Sequence, residues 1–211
     1  MTRIILIRHG QSEANLKGVF GGNTDFELSG LGIKQAELAA KYLKETENIE
    51  KVYCSDLKRA YKTGCVVAEE FGIEITKDKR LREINGGEWE GEPFDSLGQR
   101  SDYKIWLSDI GNVKCPGGEA VKDLQIRFKE ALCEIAEENK GKTVAVATHA
   151  TPIRAMMSYI KSGGAEMMKD IPWVSNASLT TLVYEDGKWE TEKVSEDSYL
   201  KDLKTVFPKN V

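Results

Sequence analysis

The sequence predicts a three-layer α/β/α fold with a mainly parallel sheet and an antiparallel edge strand. Short apolar runs, partly β-branched, alternate with longer stretches that have helical periodicity. This alternation is typical of a parallel sheet that helices cover on both faces. The last two apolar runs instead flank Asp186-Gly187, a dipeptide typical of a tight hairpin. This hairpin predicts the antiparallel edge.

The strands are predicted from the apolar runs, and the helices from apolar stripes with suitable residues at their ends. The predicted strands are 3–8, 51–55, 73–75, 143–148, 178–184 and 188–194. The predicted helices are 29–46, 56–71, 101–109, 118–138 and a last one that begins near Pro152. Ser29 is a suitable N-cap, Gly72 a stop signal, and Pro152 a first-turn residue. The apolar face of helix 56–71 is predicted to carry Leu57, Tyr61, Cys65 and Ala68.

Residues 1–211 are predicted to form a single domain, because the chain has no internal repeat, low-complexity stretch or Pro/Ser-rich linker. The segment 85–117 differs from the rest. It is rich in Gly, Pro, Asp and Trp and is periodic only near 101–109. Such a segment predicts a lid-like insertion that runs over one end of the fold.

Charge and composition disfavour several classes of partner. The formal net charge of −4 disfavours nucleic acid, whose phosphate backbone selects basic surfaces. No apolar run has transmembrane length, and the N-terminal run is too short for a secretory signal, which predicts a cytoplasmic protein without a membrane partner. The four cysteines lack CxxC spacing and are interpreted as reduced thiols rather than a disulfide or zinc framework. A homodimer is left open.

Both histidines of the chain directly follow a predicted strand. His9 ends the run 3–8, and His149 ends the run 143–148. In open α/β sheets, ligands bind beyond the carboxyl ends of the strands, so the two imidazoles are expected in one crevice. Each histidine alone would more simply satisfy a local hydrogen bond. Their matching positions, with Arg8 beside one of them, favour a functional site.

Two arginines and a glutamate complete the candidate site. Arg8 ends a buried strand, and Arg59 lies where a strand passes into a helix. Their planar guanidinium groups suit a phosphate dianion, although a surface ion pair is the simpler reading of any single arginine. Glu83 follows a further short extended stretch, and taken alone it would be a solvated carboxylate paired with Arg82.

Five segments in order resemble the histidine phosphatase superfamily, also called phosphoglycerate-mutase-like. The segments are LIRHGQSEAN at 6–15, SDLKRA at 55–60, LREINGGEWEG at 81–91, PGGE at 116–119 and THA at 148–150. An Arg-His-Gly tripeptide alone is a weak signal, whereas this ordered set covers nearly the whole chain. The resemblance implies a phosphoglycerate-mutase-like fold.

The resemblance also implies a role for each candidate. His9 would attack phosphorus and form a phosphohistidine. Arg8, Arg59 and His149 would surround the phosphoryl oxygens and stabilise their charge in the transition state. Glu83 would protonate the leaving alkoxide and then activate water. This mechanism requires neither a metal nor another cofactor.

Further residues are implied as phosphate or substrate ligands, with two departures from the family pattern. The implied ligands are Asn15, Gln11, Ser12, Gly21, Gly22 and Ala150. Relatives often have glutamine in place of Gly21, so the cavity is expected to be roomier there. Glycine usually follows the second histidine, and Ala150 replaces it here. An amide contact to phosphate would survive this change unless the position requires a positive φ.

The function favoured by these features is a phosphatase that acts on a small phosphorylated metabolite. The segment 87–91 resembles phosphatase members, and the extra segments of true mutases are not found. The alternatives are a cofactor-dependent phosphoglycerate mutase and a catalytically degenerate module that binds phospho-ligands. A protein-tyrosine phosphatase is a third, since aromatic residues at 89, 94 and 106 would suit an aromatic ester. The physiological ester is not encoded in any motif.

Overall fold

A computed structural model of the protein describes residues 1–206, so the last five residues of the predicted domain, 207–211, lie outside the described residues. The strands are β1 (Thr2–Arg8), β2 (Ile49–Cys54), β3 (Ile75–Lys77), β4 (Thr143–Thr148), β5 (Leu179–Glu185) and β6 (Lys188–Glu196). They form one sheet in the order β3-β2-β4-β1-β5-β6. The first four run parallel, whereas β5 is antiparallel to β1 and β6 to β5. The predicted fold class is confirmed.

The helices cover both faces of this sheet. They are α1 (Glu13–Lys17), α2 (Gly30–Thr46), α3 (Lys58–Phe71), α4 (Phe94–Leu97), α5 (Ser101–Asp109), α6 (Val121–Glu138) and α7 (Ala150–Ser162). Short 3-10 turns join several of them, including Lys79–Leu81 and Glu166–Asp170. No helix among residues 1–206 is long and apolar enough to cross a membrane.

The alternation of side chains along β1 produces the three layers. Ile4 and Leu6 pack with α6 and α7 in one apolar cluster, whereas Ile5 and Ile7 pack with α2 and α3 in another. Successive residues of a strand point to opposite faces, so a continuous apolar run such as β1 is buried on both sides. The two helical layers therefore bury the central strands between them, and the ends of these strands are where the site is expected.

The segment 85–117 has an apolar cluster of its own. It contains α4 and α5, and its aromatic residues pack edge to face around Phe20 and Trp89. Leu124 of α6 and Ala155 of α7 belong to the same cluster, which joins this segment to the helical layer. The predicted helix 101–109 is confirmed as α5. Trp89 is fully buried in the cluster.

Several predicted boundaries shift in the structure. The strand predicted at 73–75 lies at Ile75–Lys77, and the last strand extends to Glu196. Helix α7 begins two residues before Pro152, because His149 takes the extended N-cap conformation. Helix α1 was not predicted. Its five residues are too short for a periodic pattern, and a capping box between Ser12 and Asn15 stabilises it.

Candidate active site

The two histidines lie side by side beyond the carboxyl ends of the central strands. In the parallel pair of β1 and β4, Arg8 is opposite Thr148, so the next residues, His9 and His149, are neighbours. The His9 amide donates to the Thr148 carbonyl at 2.9 Å. The imidazole centroids are 5.1 Å apart with an interplanar angle of 63°. The predicted crevice therefore brings both rings together.

The hydrogen bonds of His9 define which nitrogen carries its lone pair. Nδ1 lies 2.7 Å from the Gly10 carbonyl oxygen, an acceptor, so Nδ1 carries the proton and donates to it. Nε2 then accepts from Nε of Arg59 at 3.3 Å. Burial is the main effect that lowers the pKa of His9 well below its usual value, and the positive charges of Arg59 and Arg8 add to it. His9 is therefore a neutral imidazole with a basic nitrogen beside a guanidinium.

Backbone carbonyls fix the two guanidinium groups next to His9. Arg59 donates from Nη1 to the Thr24 carbonyl at 2.9 Å and from Nη2 to the Gly22 carbonyl at 2.6 Å. Arg8 donates from Nη1 to the Val174 carbonyl. Burial lowers the pKa of both arginines to about 10, and the Glu83 carboxylate opposes this effect. Both groups stay charged near neutral pH, which makes the crevice a site for an anion.

Among residues 1–206, one ring nitrogen of His149 has a hydrogen-bond partner and the other has none. Its Nε2 lies 2.8 Å from Oγ of Ser55, the residue that follows β2. Oγ of Ser55 also accepts from the Leu57 amide at 3.3 Å, which leaves its proton to be donated to Nε2. The proton of neutral His149 is then on Nδ1, a buried atom without a hydrogen-bond partner among residues 1–206. His149 is fully buried and is not among the cavity-lining residues, although its ring contacts that of His9, which lines the cavity.

Glu83 is half-buried and lies on the wall of the same cavity as His9. Its Oε1 accepts from the Ile84 amide at 2.9 Å, and its Oε2 accepts from the Thr151 amide at 3.4 Å. The short extended stretch predicted before Glu83 is β3 (Ile75–Lys77), and a 3-10 turn, Lys79–Leu81, lies between β3 and Glu83. Arg127 of α6 stabilises this irregular backbone by donating to the carbonyls of residues 80, 82 and 83.

The three polar candidates after His9 differ in position. Asn15 and Ser12 line the cavity. Oδ1 of Asn15 accepts from Ser12 and from Nδ2 of Asn176, which leaves the side-chain amide nitrogen of Asn15 as its remaining polar atom. Ser12 uses its hydroxyl in the capping box. Gln11 is not among the cavity-lining residues, and its Oε1 accepts from the Ser29 hydroxyl at 2.7 Å.

The structure resolves both departures from the family pattern. A Cβ on Gly21 would make ordinary contacts, the nearest 3.6 Å away, so the position has room for a side chain near Arg59. Gly22 is different, since its φ is +48° and a Cβ would lie 2.4 Å from a carboxylate oxygen of Glu90. Ala150 is the first residue of α7 and has no positive φ, so glycine is not required there.

The cavity at this site has a volume of about 480 Å³. Its wall carries the charged groups described above, and the segment 85–117 adds apolar side chains, including Phe94, Tyr103 and Trp106. Sequence reasoning missed Ser55, Asn176 and a further buried arginine, Arg154, which also lines the cavity. Ser55 could have been found by the rule that identified both histidines, since it too follows a central strand.

The free energy of unfolding is expected to decrease as the pH falls below 6.5. Burial lowers the pKa of both His9 and His149 well below 6.5 in the folded protein, whereas the unfolded chain binds protons at its ordinary value. The contribution of the two neutral histidines to the free energy of unfolding is therefore fully present above pH 6.5. Below pH 6.5 this contribution decreases by at most about 1.4 kcal/mol per pH unit for each histidine.

Urea unfolding at pH 7.5 and pH 5.5 measures this effect. We expect a free energy of unfolding about 1–3 kcal/mol lower at pH 5.5, and about half that decrease for the variant His149→Gln. Ordinary carboxylates titrate below this window. An unchanged value between the two pH conditions would contradict the neutral, buried state of the histidines.

A parallel sheet whose central strands end in two histidines, with two buried guanidinium groups and a carboxylate nearby, defines the phosphoglycerate-mutase-like class of α/β proteins. The family model described as Histidine phosphatase superfamily (branch 1) matches residues 4–197, so the chain belongs to this superfamily. This match confirms the family that the five sequence segments predict.

Individual proteins and a solved structure are similar to this chain over most of its length. The chain is 35% identical to phosphoserine phosphatase 1 of Hydrogenobacter thermophilus, over 89% of each chain. It is 31% identical to a metal-independent phosphoserine phosphatase of Arabidopsis thaliana, over 96% of this chain and 85% of the relative. The structure of Bacillus stearothermophilus YhfR superposes with a TM-score of 0.89 at 27% identity, over 95% of this chain and 100% of that chain.

Proposed function

We propose that this protein is a phosphatase that hydrolyses small phosphomonoesters through a phosphohistidine on Nε2 of His9. The observation that carries the proposal is the contact between this nitrogen and Nε of Arg59, 3.3 Å apart. A neutral imidazole nitrogen beside a fixed guanidinium is a nucleophile beside a phosphate ligand. The names of the two phosphoserine phosphatases support a small phosphorylated metabolite as the substrate class.

In the first step, the lone pair on Nε2 of His9 attacks phosphorus, and the bond from phosphorus to the ester oxygen breaks. Arg8, Arg59 and Nδ1 of His149 donate to the three phosphoryl oxygens and stabilise their charge. Protonated Glu83 gives its proton to the leaving alkoxide. The products of this step are the free alcohol, the Glu83 carboxylate and a phosphohistidine.

In the second step, water replaces the alcohol. The Glu83 carboxylate takes a proton from the water, whose oxygen attacks phosphorus while the bond to Nε2 breaks. This releases inorganic phosphate, regenerates neutral His9 and restores the proton on Glu83. Arginines and histidines supply the positive charge throughout, so the mechanism that we propose uses no metal ion.

Incubation of the protein with a panel of phosphomonoesters tests the proposal. The panel should include O-phosphoserine, 3-phosphoglycerate, a phosphotyrosine peptide and p-nitrophenyl phosphate. We expect release of inorganic phosphate from the small esters at a rate that EDTA leaves unchanged. Chromatography of the 3-phosphoglycerate reaction separates the alternatives, because a mutase would form 2-phosphoglycerate faster than phosphate.

Three results would contradict the proposal. Isomerisation that outpaces phosphate release would assign the chain to the mutases. No turnover of any ester, combined with no labelled histidine after mixing with ³²P-labelled ester, would assign it to the phospho-ligand binding modules. Strong inhibition by EDTA would contradict the metal-free mechanism.

We also propose that 1–211 is a single domain in which 85–117 acts as a lid on the cavity. The apolar side chains of this segment lie on the cavity wall, where they would limit bulk water around the phosphohistidine. A cytoplasmic location and the lack of nucleic-acid binding stay predictions of the sequence, and a homodimer is left open. Cell fractionation, light scattering and a filter-binding assay would check them.

A further inference from the structure

Arg154 is a third buried arginine on the wall of the cavity, and the two proposed steps do not use it. It lies in α7, one turn beyond His149, and only 4% of the residue is exposed. It lines the same cavity as Arg8, His9 and Glu83. A guanidinium is rarely buried without an anionic partner, because leaving water is costly for a charge.

Among residues 1–206, the hydrogen-bond partners of Arg154 are neutral backbone carbonyls. Its Nε donates to the Ile171 carbonyl at 2.9 Å, and its Nη2 donates to the Met168 carbonyl at 2.8 Å. Its Nη1 is buried and has no hydrogen-bond partner among residues 1–206. Arg127, by contrast, pairs with the Glu119 carboxylate at 2.6 Å. The charge of Arg154 is therefore not matched by a direct ion pair in the described chain.

The electrostatic surroundings of Arg154 agree with this geometry. Burial lowers the pKa of its guanidinium to about 10, and the Glu83 carboxylate on the same wall opposes the shift. Lys169 adds a second positive charge to the cavity wall, and the adjacent Asp170 adds a negative one, both on exposed side chains. Arg154, unlike Lys169 and Asp170, is therefore a buried charge on the cavity wall.

A purely structural role would explain part of this arrangement. The two carbonyl contacts tie α7 to the 3-10 turn Glu166–Asp170 and the residue after it. A neutral donor would serve that purpose without burying a charge or leaving Nη1 unpaired. The Trp173 ring stacks 4.0 Å from the guanidinium carbon, and 45% of Trp173 is exposed.

We propose that Arg154 forms a second anion subsite, which binds a carboxylate on the alcohol part of the substrate. This inference rests on the proposed phosphatase function and narrows its substrates to phosphomonoesters of hydroxy acids. Arg8, Arg59 and His149 would hold the phosphoryl group, while Arg154 lies on the wall of the same cavity and its Nη1 is a buried donor without a hydrogen-bond partner among residues 1–206. A carboxylate acceptor would satisfy this donor and neutralise the buried charge.

The pair 3-phosphoglycerate and glycerol 3-phosphate tests the subsite, because a carboxylate in the first replaces a hydroxymethyl group in the second. We expect the native enzyme to have a kcat/KM at least about tenfold higher for 3-phosphoglycerate. Arg154→Met should lower this ratio about tenfold or more, mainly through KM for 3-phosphoglycerate. Arg154→Lys should retain more of the ratio than Arg154→Met, since it keeps the charge.

Lys161→Gln is the matched control, because Lys161 is an exposed lysine of α7 outside the cavity lining. It removes one positive charge from the same helix and should leave the ratio at the native value. If Arg154→Met does not fold, as judged by circular dichroism, the native preference and Arg154→Lys still decide the question.

The inference would be overturned by a native enzyme that hydrolyses both esters equally well. It would also be overturned if Arg154→Met lowered kcat/KM by the same factor for both, which is the behaviour of a structural clamp. These outcomes differ from a failure of the proposed function, in which the native enzyme would release phosphate from neither ester nor from p-nitrophenyl phosphate.

Discussion

Replacement of His9 by alanine is expected to lower kcat for phosphate release by roughly 10⁴-fold or more, which is the scale of losing a covalent nucleophile. The variant retains Arg8, Arg59 and His149, so the ester still binds, but no nitrogen reaches phosphorus. The fold should tolerate the change. The His9 main chain keeps its hydrogen bond to the Thr148 carbonyl and its contacts with Asn176 and Ala177.

Rapid quenching with ³²P-labelled ester measures the step directly. The native enzyme should show an acid-labile, base-stable label on histidine, and His9→Ala should show none. His149→Gln is the matched control, since it replaces the only other histidine of the chain. It should slow the formation of the label without abolishing it. Native-level activity in His9→Ala, or a label that persists in it, would remove His9 from the role of nucleophile.

Replacement of Glu83 by glutamine is expected to have an effect that depends on the leaving group. An alkoxide needs a proton as it leaves, whereas p-nitrophenolate does not. The first-turnover rate should therefore fall roughly 10²- to 10⁴-fold for an alkyl phosphate and less than about tenfold for p-nitrophenyl phosphate. The second step also uses Glu83, so the phosphohistidine of the variant should accumulate.

Stopped-flow measurement separates these effects. With p-nitrophenyl phosphate, Glu83→Gln should release p-nitrophenol in a burst of about one equivalent, followed by slow turnover. Glu88→Gln is the control. Glu88 belongs to the same motif, 81–91, but its carboxylate is exposed and lies outside the cavity lining. Equal losses with both esters in the first turnover, and no burst, would exclude Glu83 as the acid and base.

The regular core of the site was predictable from the sequence for a simple geometric reason. Parallel strands end at one edge of a sheet, so His9 and His149 could be placed together from the runs that precede them. Arg59 followed from the same rule, as the second residue of α3. These positions depend on hydrogen-bonded strands and helices, whose patterns extend over many residues.

The remaining contacts depend on irregular backbone, which has no period in the sequence. Asn176 donates to the His9 carbonyl from a segment without a strand or a helix, and the partners of Arg154 are carbonyls of a 3-10 turn and its end. The buried face of α3 was also predicted wrongly in part. Tyr61 and Cys65 are only half-buried, because Thr63 and Gly64 face the sheet instead.

The pairing of β1 with β4 has a consequence for how activity appears during folding. One histidine directly follows each strand, and residues 9–142 separate the two strands along the chain. Their contact has a large separation along the chain, and such contacts form late because closing a long loop is entropically costly. Helices can therefore form while the protein is still inactive. Recovery of turnover after refolding reports on the central strand pair, and recovery of helical signal does not.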